Sequence, residues 1–210
     1  MRIIAVLNQK GGSGKTTIAT NLAQAAHLAG HRVLLIDTDR QSSARQWAAS
    51  RERENGVPVV GVDVPPLDNT INALARNYDL IIIDGAPNVE ASAASAVKVA
   101  DVVLIPVQPS PYDIWAAREL VEMVRIRSDL TGKPKAAFVV SRAIAGTQLS
   151  QDVTEALSGY ELPIFQSRTY QRVVYANAAA SGLSVLEAEP ASSAGQEIKA
   201  LLKELQEFGA

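Results

Sequence analysis

The chain has 210 residues, 47% of them hydrophobic and 20% charged, which is enough apolar material for a globular core and excludes a disordered chain. The formal net charge is −2, so no global basic field advertises a nucleic-acid partner, and any such contact must come from a local patch. There are no cysteines, which excludes disulfides, thiolate-held iron–sulfur clusters, Cys-ligated zinc and thiol catalysis.

Aromatic residues are 5% of the chain, so the core must be aliphatic and alanine-rich, which favours α/β layers over a β-sandwich. The first apolar run, Ile3–Leu7, is too short for a signal h-region, and no stretch reaches the ~18 apolar residues of a membrane span. Further apolar runs at Val33–Ile36, Val57–Val64, Leu80–Ile83, Val102–Val107 and Ala136–Val140 read as strands. Most are continuous rather than alternating, as expected for strands covered on both faces. Helical patterns lie between them, at Thr17–Ala29, Glu90–Ala100 and Tyr112–Leu130, and one closes the chain at Ser192–Phe208. This alternation predicts βαβ units and a mostly parallel sheet. Neither proline-containing loop, Val64–Pro66 or Pro106–Pro111, has the composition of a linker, so residues 1–210 are expected to form a single domain.

The sharpest signal is Lys10-Gly11-Gly12-Ser13-Gly14-Lys15-Thr16-Thr17, between the first strand and the first helix. Glycines let backbone N–H groups curl around a phosphate, and the helix N-terminus adds its positive dipole end. Lys15 is placed to reach β- and γ-phosphates, and the Thr16 hydroxyl to ligate Mg²⁺. The strict P-loop pattern wants glycine where this chain has Gln9. Asp84 ends the run Leu80–Ile83, where a carboxylate can hold Mg²⁺ through its water shell. Asp37 and Asp39 end the second strand, and one of them is expected to orient the attacking water.

In this combination and order the motifs resemble those of the ParA/MinD family of deviant Walker A ATPases. Lys10 stands where that family has an extra lysine at the start of the box. Asp37-Thr38-Asp39-Arg40-Gln41 resembles its Asp-x-Asp-Pro-Gln switch, with Arg40 in place of the proline. Asp84-Gly85-Ala86-Pro87 resembles its Walker B end, and Pro106–Asp113 its later proline-containing segment. The resemblance implies a P-loop three-layer sandwich, with a mostly parallel twisted central sheet flanked by helices. It implies ATP and Mg²⁺ as cofactors, ATP hydrolysis, and a homodimer that forms on ATP with Lys10 of each subunit reaching the other's phosphates. It assigns phosphate binding to Gly11, Gly12, Ser13, Gly14, Lys15, Thr16 and Thr17. Metal binding falls to Thr16, with Asp84 and Asp37 acting through water, and water orientation to Asp39. Arg142 and the Pro163–Arg168 segment are expected near the base.

Within the family, the missing cysteines argue against the branches that carry iron–sulfur clusters. The last helix sets Lys199 and Lys203 against Glu197, Glu204 and Glu207, whereas a lipid-surface helix should be basic. No room precedes the P-loop for a helix-turn-helix domain, which resembles the small ParA proteins. The expectation is therefore a cytoplasmic, nucleoid-associated ATPase that binds DNA non-specifically. It would position plasmid, chromosome or protein cargo with a ParB-like or other cargo-linked adaptor, without stable membrane insertion. Arg168, Arg172 and Lys135 are the candidate DNA contacts, from basic stretches at residues 123–150 and 162–186. The alternatives are a MinD-like membrane-associated positioning ATPase and a P-loop small-molecule kinase or ligase. The latter would not explain Lys10 or the Asp37–Asp39 pair.

Overall fold

A computed structural model describes residues 1–52, 55–87, 90–147 and 149–209, and of residues 75 and 149–152 the backbone alone. In chain order the elements are β1 (Arg2–Val6), α1 (Lys15–Leu28), β2 (Val33–Asp37), α2 (Ser43–Ala49), β3 (Val59–Gly61) and α3 (Asp68–Leu74). A 3-10 turn at Ala75–Asn77 leads to β4 (Leu80–Asp84), α4 (Glu90–Val99), β5 (Val102–Val107), α5 (Pro111–Ala116), α6 (Arg118–Thr131) and β6 (Lys135–Val140). The chain ends with α7 (Leu149–Ser158), α8 (Val173–Ala180), α9 (Val185–Ala188) and α10 (Ser193–Phe208).

The strands form one sheet in the order β3-β2-β4-β1-β5-β6. All five pairings are parallel, with Val6 opposite Asp84 and Asp37 opposite Asp84. The sequence implied "mostly parallel"; among the described residues the sheet is wholly so. The uninterrupted apolar runs have a simple cause, since the sheet is covered on both faces. Ile3, Ala5, Ile81, Ile83, Val103 and Ile105 face a layer built from α3 to α7. Their neighbours Ile4, Val6, Leu80, Ile82, Val102 and Leu104 face Ile18 and Leu22 of α1 and Leu201 and Leu205 of α10. The period-2 alternation of a strand thus serves two cores at once. This is the three-layer α/β sandwich expected from the sequence.

Two expectations change. The strand read over Val57–Val64 contracts to Val59–Gly61, an edge strand paired only with β2. Pro58 has no N–H to give the ladder, and the chain leaves at Gly61 toward Pro65 and Pro66. The helix read over Tyr112–Leu130 is two helices. At Ala117, between α5 and α6, the backbone bond is an i→i−3 contact, Ala117 N to Ile114 O at 3.2 Å. α10, whose charge argued against a lipid-surface helix, buries Ile198, Leu201 and Leu205 against the core. Among the described residues no helix is long and apolar enough to cross a membrane.

Because all strands run the same way, their C-terminal ends share one rim. β1 sits at the point where the strand order reverses, with β4 on one side and β5 on the other. That crevice is where open α/β sheets bind ligands, and the loop leaving β1 is the glycine-rich box.

Candidate nucleotide site

The box is held open by its glycines. Gly12 and Gly14 have φ of 77° and 94°, a left-handed region that penalises any Cβ. A side chain on Gly14 would also meet Ser141 at 3.3 Å. Ser141 Oγ, at the end of β6, donates to Ser13 O at 2.6 Å, and Gln108 Nε2 donates to Gly12 O at 2.8 Å. Asn8 donates to Pro106 O at 2.7 Å and accepts from Lys10 N at 2.9 Å, tying the loop's first turn to β5. The loop is therefore fixed from outside.

Lys15 opens α1 and is buried, with Nζ donating to Lys10 O at 2.9 Å. Burial holds its pKa below the ordinary lysine value, opposed by the charges of Asp84 and Asp39. Lys10 turns the other way, and its ammonium pairs with Asp113 of α5, a carboxylate only 1% exposed. The two cations of the box thus occupy different positions, one inside the loop and one at its rim.

Asp84 is the buried acid of the site. Neither oxygen has a hydrogen-bond partner, although the neighbouring Thr16 hydroxyl favours its charged form. Burial pushes its pKa up to about 7, with Asp37 and Asp39 adding to the rise and Thr16 and Lys15 opposing it. Two orphaned carboxylate oxygens beside a threonine hydroxyl and a lysine are what a hydrated Mg²⁺ with nucleotide phosphates would satisfy. ATP and Mg²⁺ fit these residues. A bound Mg²⁺ would supply charge neutralisation on the phosphates, and Thr16 and Asp84 are the residues that would hold it.

The two switch aspartates differ in what holds them. Both oxygens of Asp37 are occupied, accepting from Asp39 N at 2.9 Å and Arg45 N at 3.0 Å. Asp37 therefore fixes the turn into α2. Asp39 accepts from Gln41 N at 2.9 Å and lines the cleft. Arg40, in the place of the family's proline, is exposed, and Ser42 takes a φ of 60°. Two residues that sequence reasoning missed complete the switch. Arg45 donates to Asp39 O at 2.9 Å and pairs with Asp63 at 2.6 Å. Thr38 Oγ1 donates to Asp84 O at 2.9 Å and accepts from Ala86 N at 3.0 Å, joining the ends of β2 and β4. Nothing in a bare Thr or Arg marks such a role; only the Asp37–Asp84 register brings them together.

The cleft has a volume of about 620 Å³ and runs from Gly12, Gly14, Lys15, Thr16 and Thr17 to Asp39 and Arg142. Arg142 Nη1 donates to Gly12 O at 3.4 Å. The cleft's far wall includes Thr169 to Val173, and Pro163–Arg168 does not line it. The cause is that 163–169 is spent in backbone pairing with β6, through Phe138 N to Pro163 O and Thr169 N to Val140 O. Only beyond Thr169 does the chain turn over the cleft.

The candidate DNA contacts are not brought together. Lys135 starts β6, at the opposite end of the sheet from the P-loop, and donates to Phe208 O at 3.2 Å. Arg172 lines the nucleotide cleft and pairs with Glu197 at 2.6 Å, its guanidinium 5.5 Å from the Tyr170 ring centre. Glu197 also accepts from the Tyr175 hydroxyl at 2.9 Å, and burial raises the Tyr175 pKa. Arg168 lies within the segment paired with β6, one residue before Thr169.

Fold and site together define a P-loop nucleotide-binding protein of the deviant type, with a second lysine at the head of its box. The chain belongs to the CobQ/CobB/MinD/ParA nucleotide-binding domain family, whose model matches residues 4–185. It is 32% identical to the maintenance of carboxysome distribution protein A of Halothiobacillus neapolitanus, over 96% of this chain and 95% of that protein. It is 26% identical to the sporulation initiation inhibitor protein Soj of Bacillus subtilis, covering 99% of each. Its fold superposes on a Cyanothece McdA variant in complex with ATP with a TM-score of 0.74, at 17% identity, covering 99% of this chain and 96% of that one.

Proposed function

We propose that this chain, acting as one catalytic unit, is a positioning ATPase that dimerises on ATP, binds DNA without sequence preference and distributes a cargo over the nucleoid. The observation that carries this reading is Lys10. A P-loop kinase needs Lys15, Thr16 and Asp84, but not a second lysine held at the cleft's rim on a buried acid. A cation so placed can swing to the phosphates of a facing subunit and neutralise charge on the transferring phosphoryl group. Hydrolysis moves the γ-phosphoryl group from the ADP leaving group to a water aligned by Asp39, giving ADP and phosphate. The Thr38 bridge between the two strand ends passes the state of the phosphates from Asp84 to the switch that Arg45 and Asp37 hold. The likeness to a carboxysome-distribution protein favours a protein cargo with its own adaptor, and the likeness to Soj favours DNA cargo with a ParB-like one.

Arg168 and Arg172 remain the leading DNA contacts, and Lys135, at the opposite end of the sheet, is no part of the same patch. The test is a DNA-binding titration with ATP, with ADP and without nucleotide, at two salt concentrations. Binding that needs ATP, falls steeply with salt and hardly varies with sequence supports the reading. Absent or nucleotide-independent binding, together with ATP-dependent binding to anionic vesicles, would replace it with the membrane-associated reading. In an Arg172→Ala variant, ATP affinity must be measured alongside, because Arg172 lines the nucleotide cleft.

A further inference from the structure

The last helix ties the far wall of the nucleotide cleft from behind. Residues 163–169 run beside β6, but the pairing is uneven. Phe165 N bonds to Phe138 O and Thr169 N to Val140 O, so this strip advances four residues while β6 advances two. The excess residues lose the ladder, and their N–H groups need other acceptors. Glu204 of α10 takes two of them, accepting from Gln166 N and Ser167 N at 2.8 Å each.

Seven residues earlier, on the same face of α10, Glu197 holds the wall itself. Its side chain is 9% exposed and accepts three bonds, from Tyr170 N at 3.1 Å, Arg172 Nε at 2.6 Å and the Tyr175 hydroxyl at 2.9 Å. All three donor residues line the cleft, whereas Glu197 does not. Thr169 and Gln171 are bonded to the chain just after β6, through Ala143 N to Thr169 O and Gln171 N to Ala143 O. The next element, α8, continues the wall with little apolar anchorage. Among its residues Ala178 alone is buried, and Val173 is exposed. The Glu197 bonds therefore carry much of what fixes residues 170–175.

We propose that Glu197 is a positioning residue for the nucleotide, holding Tyr170, Arg172 and Tyr175 in the wall that receives the nucleoside end. This rests on the ATP reading of the cleft and deepens it. The glycine box takes the phosphates, so ribose and base must extend along the rest of the cleft, toward Thr169–Val173. A wall already in place binds without first being ordered, and a loose one loses affinity to that ordering. Arg172 shows how the positioning works. Glu197 fixes its Nε, and its guanidinium carbon lies 5.5 Å from the Tyr170 ring centre, which sets the planar group where it lines the cleft.

The experiment is calorimetry of the full chain with Mg²⁺–ATP, Mg²⁺–ADP and Mg²⁺–tripolyphosphate, which carries phosphates without a nucleoside. It compares the wild type with Glu197→Ala, Glu197→Gln and Glu207→Ala, an exposed glutamate of the same helix, each well below its melting transition. Glu197→Ala should lose at least about tenfold in affinity for ATP and ADP alike, and keep that for tripolyphosphate within about twofold. Glu197→Gln retains an acceptor oxygen for Tyr170 N and should show the same split at about threefold, which keeps the test open if the alanine variant does not fold. Glu207→Ala should match the wild type. In the nucleotide-free chain, amide hydrogen exchange across residues 169–176 should quicken in Glu197→Ala. Equal losses for ATP and tripolyphosphate would mark a general structural defect and overturn the proposal, as would unchanged ATP affinity or unchanged exchange. A wild type that binds neither ATP nor ADP would instead overturn the nucleotide reading, and this proposal with it.

Discussion

Lys15 Nζ donates to the main-chain carbonyl of Lys10 at 2.9 Å, which ties the ammonium to the first residue of the box. A buried ammonium needs acceptors, and the loop carbonyl supplies one. Phosphate oxygens would add others. Lys15→Ala should therefore lower ATP affinity by at least about a hundredfold, the scale of losing the main cation on the β- and γ-phosphates. Calorimetry with Mg²⁺–ATP checks it, and wild-type affinity would mean that the loop is not a phosphate site.

Lys10 has a separable role, because its side chain lies at the rim on Asp113 rather than inside the loop. Lys10→Ala should bind ATP as a monomer and hydrolyse it at background rate. It should also strand the Asp113 carboxylate, at a cost on the order of 1–3 kcal/mol, discounted because the lysine is partly exposed. For a chain of this size that lowers the melting temperature by roughly 3–10 °C. Adding Asp113→Asn should recover most of the loss, and differential scanning calorimetry of the three variants tests the pairing. Normal ATP-dependent dimerisation of Lys10→Ala would contradict its action in trans.

Asp39 and Asp37 should part in their variants. Asp39 faces the cleft with one oxygen spent on Gln41 N, so Asp39→Ala should bind ATP with near-normal affinity and turn over at least tenfold more slowly. Asp37 anchors two backbone N–H groups, so Asp37→Ala should loosen the turn into α2 and lower stability as well as turnover. Steady-state phosphate release together with thermal melts distinguishes them. A slow, fully stable Asp37→Ala with a normal Asp39→Ala would reverse the assignment.

Asp84 gives the site a pH dependence of definite sign. Its folded pKa of about 7 lies above the unfolded carboxylate value, so between about pH 4 and pH 7 the folded chain holds a proton that the unfolded chain has lost. The nucleotide-free protein should therefore lose stability as pH rises through that window, by a few kcal/mol at most. Asp84→Asn should melt higher than the wild type at pH 8 and close to it at pH 4. The same variant should lose the Mg²⁺-dependent part of nucleotide stabilisation. In the wild type that stabilisation should weaken below about pH 6, where the proton competes with the cation. Parallel melting profiles of the two proteins across pH would refute the buried-acid account.

What the sequence determined by itself is everything governed by local pattern. Continuous apolar runs declared strands buried on two faces, and the glycines with Lys15 and Thr16 declared a phosphate loop, because the chemistry sits within eight consecutive residues. Asp37, Asp39 and Asp84 were legible for the same reason, each at the end of an apolar run. The short helices α2, α3, α7, α8 and α9 were not, since pieces of four to ten residues carry too few turns to show a period. Nor could pattern show that Arg172 would be drawn onto Glu197 in the nucleotide cleft while Lys135 went to the far rim. Net local charge counts residues, but a patch needs them on one face, and strand direction decides the face. The tertiary structure alone made Thr38 a bridge to Asp84 and gave Lys10 its buried partner Asp113, 103 residues away. Both contacts exist because parallel strands carry every loop of the site to one rim, where residues distant in the chain are forced to meet.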